Sequence, residues 1–358
     1  MSNDIPPLML ITGSSGFVGS EIAFQALKQG LAVRLVFRKP SQAEAWEAAY
    51  GEYKERTETV VVQDFAVPGA FDEAVKGVSF IAHAATPINF HPKDNKRDVL
   101  DPAIDGLLGL LKSAQKAPSV KAFVYTSSIA AYADLTKPFA KNEVLTEKHF
   151  VPFTYDQAAA FPPEDGFFTY SASKELSEKP GQEFMNREKP SFTFTTIAPT
   201  LVLGEDHQVP LTWEMGKSVS SLAWAFGAIE SKKYPSSIGQ SIDASQGSIP
   251  FVNVVDVARA HTLAAQTPIA AGKRYGMAAG YVTYEEIGRV AAEAVPDHAY
   301  CWPHTEGKQA EPLVHFESST VEKDLGFKYI GLEETVASFA RQMFSLPGAP
   351  PPAKAAAA

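Results

Sequence analysis

The chain of 358 residues reads as an α/β protein, a doubly wound parallel sheet with helices on both faces and a smaller C-terminal lobe. Three observations point there: an apolar run ending in a glycine-rich turn and an amphipathic helix, an alternation of apolar strands with helical segments up to Pro199, and the loss of that rhythm afterwards.

Residues 8–12 form a short apolar run bounded by Pro7 and Gly13, as expected of a strand buried on both faces. Gly13-Ser14-Ser15-Gly16-Phe17-Val18-Gly19 follows at once. Glycines three apart let the backbone turn out of the strand, approach a pyrophosphate and seat the next helix on the sheet. The free N–H groups at that helix start then face phosphate oxygens. Phe17, Val18, Ile22, Ala23, Ala26 and Leu27 keep helical spacing up to Gly30, and residues 31–37 give a second strand. Further strands at 60–62, 78–82, 122–126 and 192–197 alternate with helices at 68–76, 94–116 and 170–188. Pro180 should kink or end the last of these, beyond Lys174. After Pro199 the chain is rich in serine, aromatic and turn-forming residues up to about 247. A strand at 249–252 and helices at 254–266, 283–294, 319–325 and 333–344 follow. Residues 1–199 are therefore assigned mainly to a dinucleotide-binding unit and 200–346 mainly to a substrate lobe with elements returning to the sheet. Residues 347–358 read as a disordered proline and alanine tail.

Composition narrows the function. With 45% hydrophobic and 20% charged residues the chain is globular, and a formal net charge of -9 argues against a nucleic-acid binder. Cys301 is the single cysteine, which excludes an intrachain disulfide and suits a reducing compartment. No apolar run is long enough for a membrane span and residues 1–7 lack signal-peptide features, so a cytoplasmic location is the expectation. His298, Cys301 and His304 are ligand-type residues without a fourth partner, and no metal is expected.

The chemistry centres on Tyr170 and Lys174, four residues apart and hence on one helix face. A phenol is a poor acid or base at neutral pH, and a neighbouring ammonium is expected to lower its pKa while hydrogen-bonding a cofactor ribose. Ser128, at the end of the fifth strand, is placed to donate to a substrate carbonyl. At the end of the second strand stand Arg38 and Lys39, with no carboxylate until Glu44, so a 2′-phosphate is expected there and not a free ribose 2′-hydroxyl. Ala84, Ala85 and Thr86 follow the fourth strand as small residues against which a cofactor can lie, and His83 is read as structural. The long connection at 133–169 suggests a lid or specificity element. Phe139, Phe150, Phe153, Phe161, Phe167 and Phe168 fall in it, with Trp213, Trp224 and Phe226 in the lobe.

With Thr12 to Gly19 as TGxxGxxG, His83 to Thr86, Thr126-Ser127-Ser128, and Tyr170 with Lys174, the chain resembles the extended short-chain dehydrogenase/reductase family from Leu8 to about Phe344. The run from Ala117 to Ser128 is most similar to its dihydroflavonol reductase and yeast-type aldehyde reductase (ketoreductase) branch. The resemblance implies a Rossmann-type fold, NADP(H) as cofactor and Ser128, Tyr170 and Lys174 as the catalytic set. It also implies cofactor contacts from Thr12, Gly13, Ser15, Gly16, Phe17, Val18, Arg38, Lys39, Asp64, Phe65, Ala84, Ala85, Thr86, Thr126, Pro199 and Thr200. Ile88 and Phe90, with Asn89 between them, are assigned by position to the substrate. The expected reaction is reversible, NADPH-dependent reduction of an apolar or aromatic ketone or aldehyde, with Tyr170 as proton donor. An NAD-retaining nucleotide-sugar epimerase or dehydratase, or a non-catalytic NADP-binding sensor, is the alternative. A small-molecule partner and a monomer or homodimer complete the expectation.

Overall fold

The computed structural model describes residues 6–353 apart from 135, 138, 141–142, 163, 165, 210, 219–220, 236, 239–241, 244–246 and 307. In chain order the first half holds β1 (Leu8–Thr12), α1 (Phe17–Lys28), β2 (Ala32–Phe37), α2 (Pro40–Ala49), β3 (Thr57–Val61), β4 (Phe80–His83), α3 (Asp101–Gln115), β5 (Ala122–Thr126), β6 (Val144–Leu145), α4 (Tyr155–Ala159) and α5 (Gly166–Glu188). The second half holds β7 (Thr193–Pro199), β8 (Leu201–Leu203), α6 (Trp213–Gly216), α7 (Ala223–Ser231), β9 (Ser237–Ile238), β10 (Ile242–Asp243), β11 (Ile249–Asn253), α8 (Val254–Gln266), β12 (Arg274–Met277), β13 (Gly280–Val282), α9 (Tyr284–Ala294), β14 (His315–Phe316), α10 (Ser319–Leu325) and α11 (Leu332–Ser345).

Seven parallel strands make the central sheet in the order β3-β2-β1-β4-β5-β7-β12, so the chain reverses direction across the sheet between β1 and β4. Such a reversal opens a crevice at the carboxyl ends of the strands. Both faces are covered. Along β1, Met9 and Ile11 join a core that includes Ile22 and Ala26 of α1 and Ala258 and Ala264 of α8. Leu10 joins the opposite core, with Leu107 and Leu111 of α3 and Phe184 of α5. Side chains of a strand point alternately to the two faces, which is why a strand with two apolar coats reads as an unbroken apolar run. Beyond Pro199 three strands form a small sheet in the order β13-β11-β8, while α8 and β12 return to the central layer. Among the described residues, no helix is long and apolar enough to cross a membrane.

Several local expectations are corrected. Residues 68–76 form a run of turns and not a helix, with Pro68 at the start and Gly69 at φ +77°. Residues 40–49 are helical although the sequence reading passed over them, with Pro40 in the first turn, where its missing N–H costs nothing. The helix expected over 94–116 divides into a π-helical turn at Lys96–Leu100 and α3. Pro102 explains it: the ring would strike the carbonyl four residues back, and the turn ahead widens, with Asp101 N–H donating to Lys96 O. Pro180 does not stop α5, which runs on to Glu188 while Phe184 packs in the core with Leu107 and Leu111. Tertiary packing outweighs the one lost hydrogen bond. The long connection contains β6, paired in parallel with β14, and the short helix α4. The tail expected to be disordered is seated at its beginning, where Trp213 N–H donates to Pro347 O at 3.0 Å and Tyr300 Oη to Pro351 O at 2.6 Å.

Candidate active site

The turn from β1 into α1 sits at the crevice. Gly13 stands at φ +74°, and a β-carbon there would lie 2.8 Å from Ala85 N. At Gly19 one would lie 2.0 Å from Gly13 O, closer than any side chain is tolerated. The two glycines thus hold the loop tight against both its own helix and the end of β4. No side chain caps the start of α1, which leaves its first N–H groups for a ligand. Behind the loop Thr12 Oγ1 lies 2.7 Å from His83 Nδ1 and accepts from Ala85 N–H at 3.3 Å. Burial, with the nearby Lys174 charge adding to it, pushes the His83 pKa down to about 3, so this imidazole is neutral and ties β1 to β4.

A cleft of about 840 Å³ runs from this loop across the carboxyl ends of the strands. At one end it is walled by Gly13, Ser15, Gly16, Phe17 and Val18, with Arg38 and Phe65 beside them. The Arg38 guanidinium lies 5.5 Å from the Phe65 ring centre. Ala84, Ala85, Thr86, Thr126, Pro199 and Thr200 line the middle. Ser128, Tyr170 and Lys174 converge farther along, with Ile88 and Phe90. Four residues of the sequence-derived set do not line the cleft: Thr12, Lys39, Asp64 and Asn89. Thr12 lies behind the loop, Lys39 immediately precedes α2, and the Asp64 carboxylate accepts from Ala66 N–H at 2.9 Å.

Lys174 is buried, and Ser128 and Tyr170 are partly buried. Tyr170 has its ring edge-on to Phe90 at 5.6 Å and tilted to Phe167 at 6.3 Å. Burial raises its pKa to about 12, with a hydrogen bond to Ser128 opposing. Lys174 Nζ donates to Thr86 Oγ1 and to Thr126 O, both at 3.0 Å. Burial pushes the amine down to about 7, with Glu178 opposing. The phenol thus stands above its ordinary value because its burial outweighs the charge of a neighbouring amine that is itself only partly protonated near neutrality.

Sequence reasoning missed four supporting residues. The Gln42 carbonyl oxygen accepts from Arg38 N–H and Lys39 N–H, and its amide donates to Ser15 Oγ, each at 3.2 Å, joining the two halves of the first wall. His261, on α8, lies 2.7 Å from Thr126 Oγ1. Glu178 and Arg274 form a buried pair behind Ser127. Only Gln42, three residues after Lys39 at a helix start, carried a signal in the sequence.

The cleft is lined mainly by apolar surface, with the polar His91, Gln208, Ser218 and Ser221 among its walls. Phe139 and Phe167 of the long connection face it, together with Trp224, Tyr284, Val314 and Phe316. Other aromatic residues serve the core: Phe153 packs edge-on to Phe161 at 5.0 Å, and Trp213 to Phe226 at 4.8 Å. Such a site can bind a long ligand at its glycine end and hold a small apolar molecule against a phenol, a hydroxyl and an amine.

Residues 9–278 match the model of a family described as the NAD dependent epimerase/dehydratase family. The chain is 31% identical over 338 residues to ketoreductase azaE of Aspergillus niger, covering 92% of this chain and 95% of that protein. It is 38% identical over 205 residues to aldehyde reductase 2 of Sporidiobolus salmonicolor, covering 55% of this chain and 58% of that one. Among solved structures, yeast methylglyoxal/isovaleraldehyde reductase Gre2 complexed with NADPH superposes with a TM-score of 0.79 at 26% identity, over 94% of this chain and 98% of Gre2.

Proposed function

This chain belongs to the NAD dependent epimerase/dehydratase family, and on that premise we propose that it is an NADPH-dependent reductase of apolar or aromatic ketones and aldehydes, with Tyr170 as proton donor. The observation that carries the reading is the convergence of Ser128, Tyr170 and Lys174 on the same cleft as the glycine turn and Arg38. The reductase names of its relatives and the NADPH bound in Gre2 support it.

The residues present fit the cofactor. A loop with no room for a side chain at Gly13 or Gly19 and an uncapped helix start suit a pyrophosphate. Arg38 is the group for the 2′-phosphate, held by Gln42 through its backbone N–H. Held there, NADPH would supply the hydride for the carbonyl carbon. Ser128 orients and polarises the substrate oxygen by donating its hydroxyl hydrogen. Tyr170 Oη then gives its proton to that oxygen as negative charge develops there. A phenol with a pKa of about 12 keeps its proton throughout the neutral range, as an acid for this step must. In its ammonium form Lys174, beside both the phenol and the strand end, offers positive charge to the phenolate left behind, against the burial that raises the phenol's pKa. The reverse reaction uses the same groups.

Arg38→Gln is expected to weaken NADPH binding by about 10- to 100-fold, the usual range for a charge-assisted hydrogen bond, with NADH binding little changed. Titration of cofactor fluorescence checks this, and equal losses for both cofactors would remove Arg38 from the 2′-phosphate.

The reading itself is tested by following NADPH oxidation with a panel of aryl and alkyl ketones and aldehydes, beside UDP-sugars, together with the nucleotide content of the purified protein. Carbonyl-dependent NADPH consumption supports a reductase. Tightly retained NAD with sugar-nucleotide turnover would make it an epimerase, and NADP binding with no turnover on any substrate a sensor. The mainly apolar lining, with Phe139, Phe167 and Trp224, favours the first.

A further inference from the structure

Lys174 is an amine only 3% exposed, and its two hydrogen bonds go to uncharged oxygens, Thr86 Oγ1 and Thr126 O. Among the described residues no carboxylate forms an ion pair with it. A buried ammonium without a counter-charge is costly and tends to lose its proton. One turn farther along the same helix lies Glu178, whose side chain is 5% exposed. Its carboxylate does two things at once. It accepts from Ser127 Oγ at 2.7 Å, between Thr126, which binds the Lys174 amine, and Ser128. It also accepts from Arg274 Nε at 2.5 Å.

Arg274, on the edge strand β12, is fixed in turn. Its guanidinium carbon lies 3.7 Å from the Tyr132 ring centre and 4.1 Å from that of Phe150, and Nη1 donates to Glu147 O at 3.1 Å and His149 O at 2.5 Å. One guanidinium therefore joins β12, the long connection after β5 and, through Glu178, the strand end that carries Ser128.

We propose that Glu178, locked by Arg274, is a positioning residue that pins the Ser127–Ser128 strand end and supplies the counter-charge for the Lys174 amine. This rests on the reductase reading above and names what sets the working state of that site. The titratable groups facing the amine are His83 from β4, Tyr125 from β5, and Tyr170 and Glu178 from α5 itself. His83 is neutral at working pH, and both tyrosines are protonated there because burial raises their pKa values. Glu178 is thus the one neighbour in this set whose charge favours the ammonium.

Replacing Glu178 by the isosteric amide keeps an acceptor for Ser127 and removes the negative charge, so the Lys174 amine gives up its proton at lower pH. In Glu178→Gln the Lys174 titration midpoint is expected to fall by about one pH unit, the lower end of what a near opposite charge provides. The alkaline limb of kcat/KM is expected to move the same way, so that activity one unit above the wild-type midpoint drops about tenfold more than in wild type. Titration is read from the Cε methylene resonance of Lys174 in 13C-lysine-labelled protein, assigned by its absence in Lys174→Met, and needs no turnover. Because Glu178→Gln leaves Arg274 buried without its partner, the double variant Glu178→Gln/Arg274→Met is measured beside it. There the pair is neutral and of similar bulk. A midpoint still lowered in the double variant supports the proposal. A midpoint unmoved in the single variant, or restored to the wild-type value in the double, overturns it. A wild-type protein that reduces no carbonyl compound overturns the reductase reading instead, and leaves the titration to decide the role of Glu178.

Discussion

Tyr170→Phe is expected to lower turnover by about 10²- to 10⁴-fold, the range over which a positioned general acid acts, while NADPH affinity stays as in wild type. The ring keeps its packing against Phe90 and Phe167, and only the hydroxyl that hydrogen-bonds Ser128 is lost. Single-turnover rates with pre-bound NADPH separate the two quantities. The pH dependence offers a second view: with the phenol pKa raised to about 12, reduction should show no loss of the acid between pH 6 and 9 on account of Tyr170. A fall in that range is expected from Lys174, which burial brings down to about 7. Equal turnover in the variant and wild type would remove Tyr170 from the reaction.

Gly19→Ala is expected to cost about 1–3 kcal/mol of stability, as overpacking does, and to weaken NADPH binding at least tenfold. The added β-carbon would fall 2.0 Å from Gly13 O and 2.5 Å from Gly13 C, both backbone atoms that cannot swing aside. The loop must move, and with it the surface offered to the pyrophosphate. Gly16→Ala is the graded comparison, since its β-carbon meets Gly13 O at 3.3 Å. Gly227→Ala, where nothing lies within 4 Å, is the control. Thermal melts and cofactor titrations of the three variants should rank in that order. A Gly19→Ala protein that binds NADPH as well as wild type would refute the close-fit account of this turn.

The parts legible in the sequence were those with strong local physics. The run from Leu8 to Gly19 carried its own boundaries, because a doubly buried strand must be apolar throughout and the turn after it leaves no space for side chains. Tyr170 and Lys174 were readable as a pair from their spacing alone. What escaped depended on residues far apart in the chain. The edge strand β12 has only four residues, with a glycine and an arginine among them, and owes its existence to pairing with β7. Arg274 and Glu178 meet across 96 residues. The state of the Lys174 amine was misread because the sequence gives its neighbours along the helix but not the depth at which β5 and α5 bury it. Residues 68–76 have apolar spacing suited to a helix, but Pro68 and Gly69 favour turns at the start.

The return of α8 and β12 to the central layer has a consequence for the nascent chain. Met9, Ile11 and Val33 share a core with Ala258 and Ala264, and β7 is paired on its outer side only by β12. When the first 199 residues have left the ribosome, one face of the sheet is still incompletely covered and one edge open to other strands. Closure waits for synthesis to reach Met277, so cutting the polypeptide near Pro199 should yield an aggregating fragment and not a self-sufficient nucleotide-binding half.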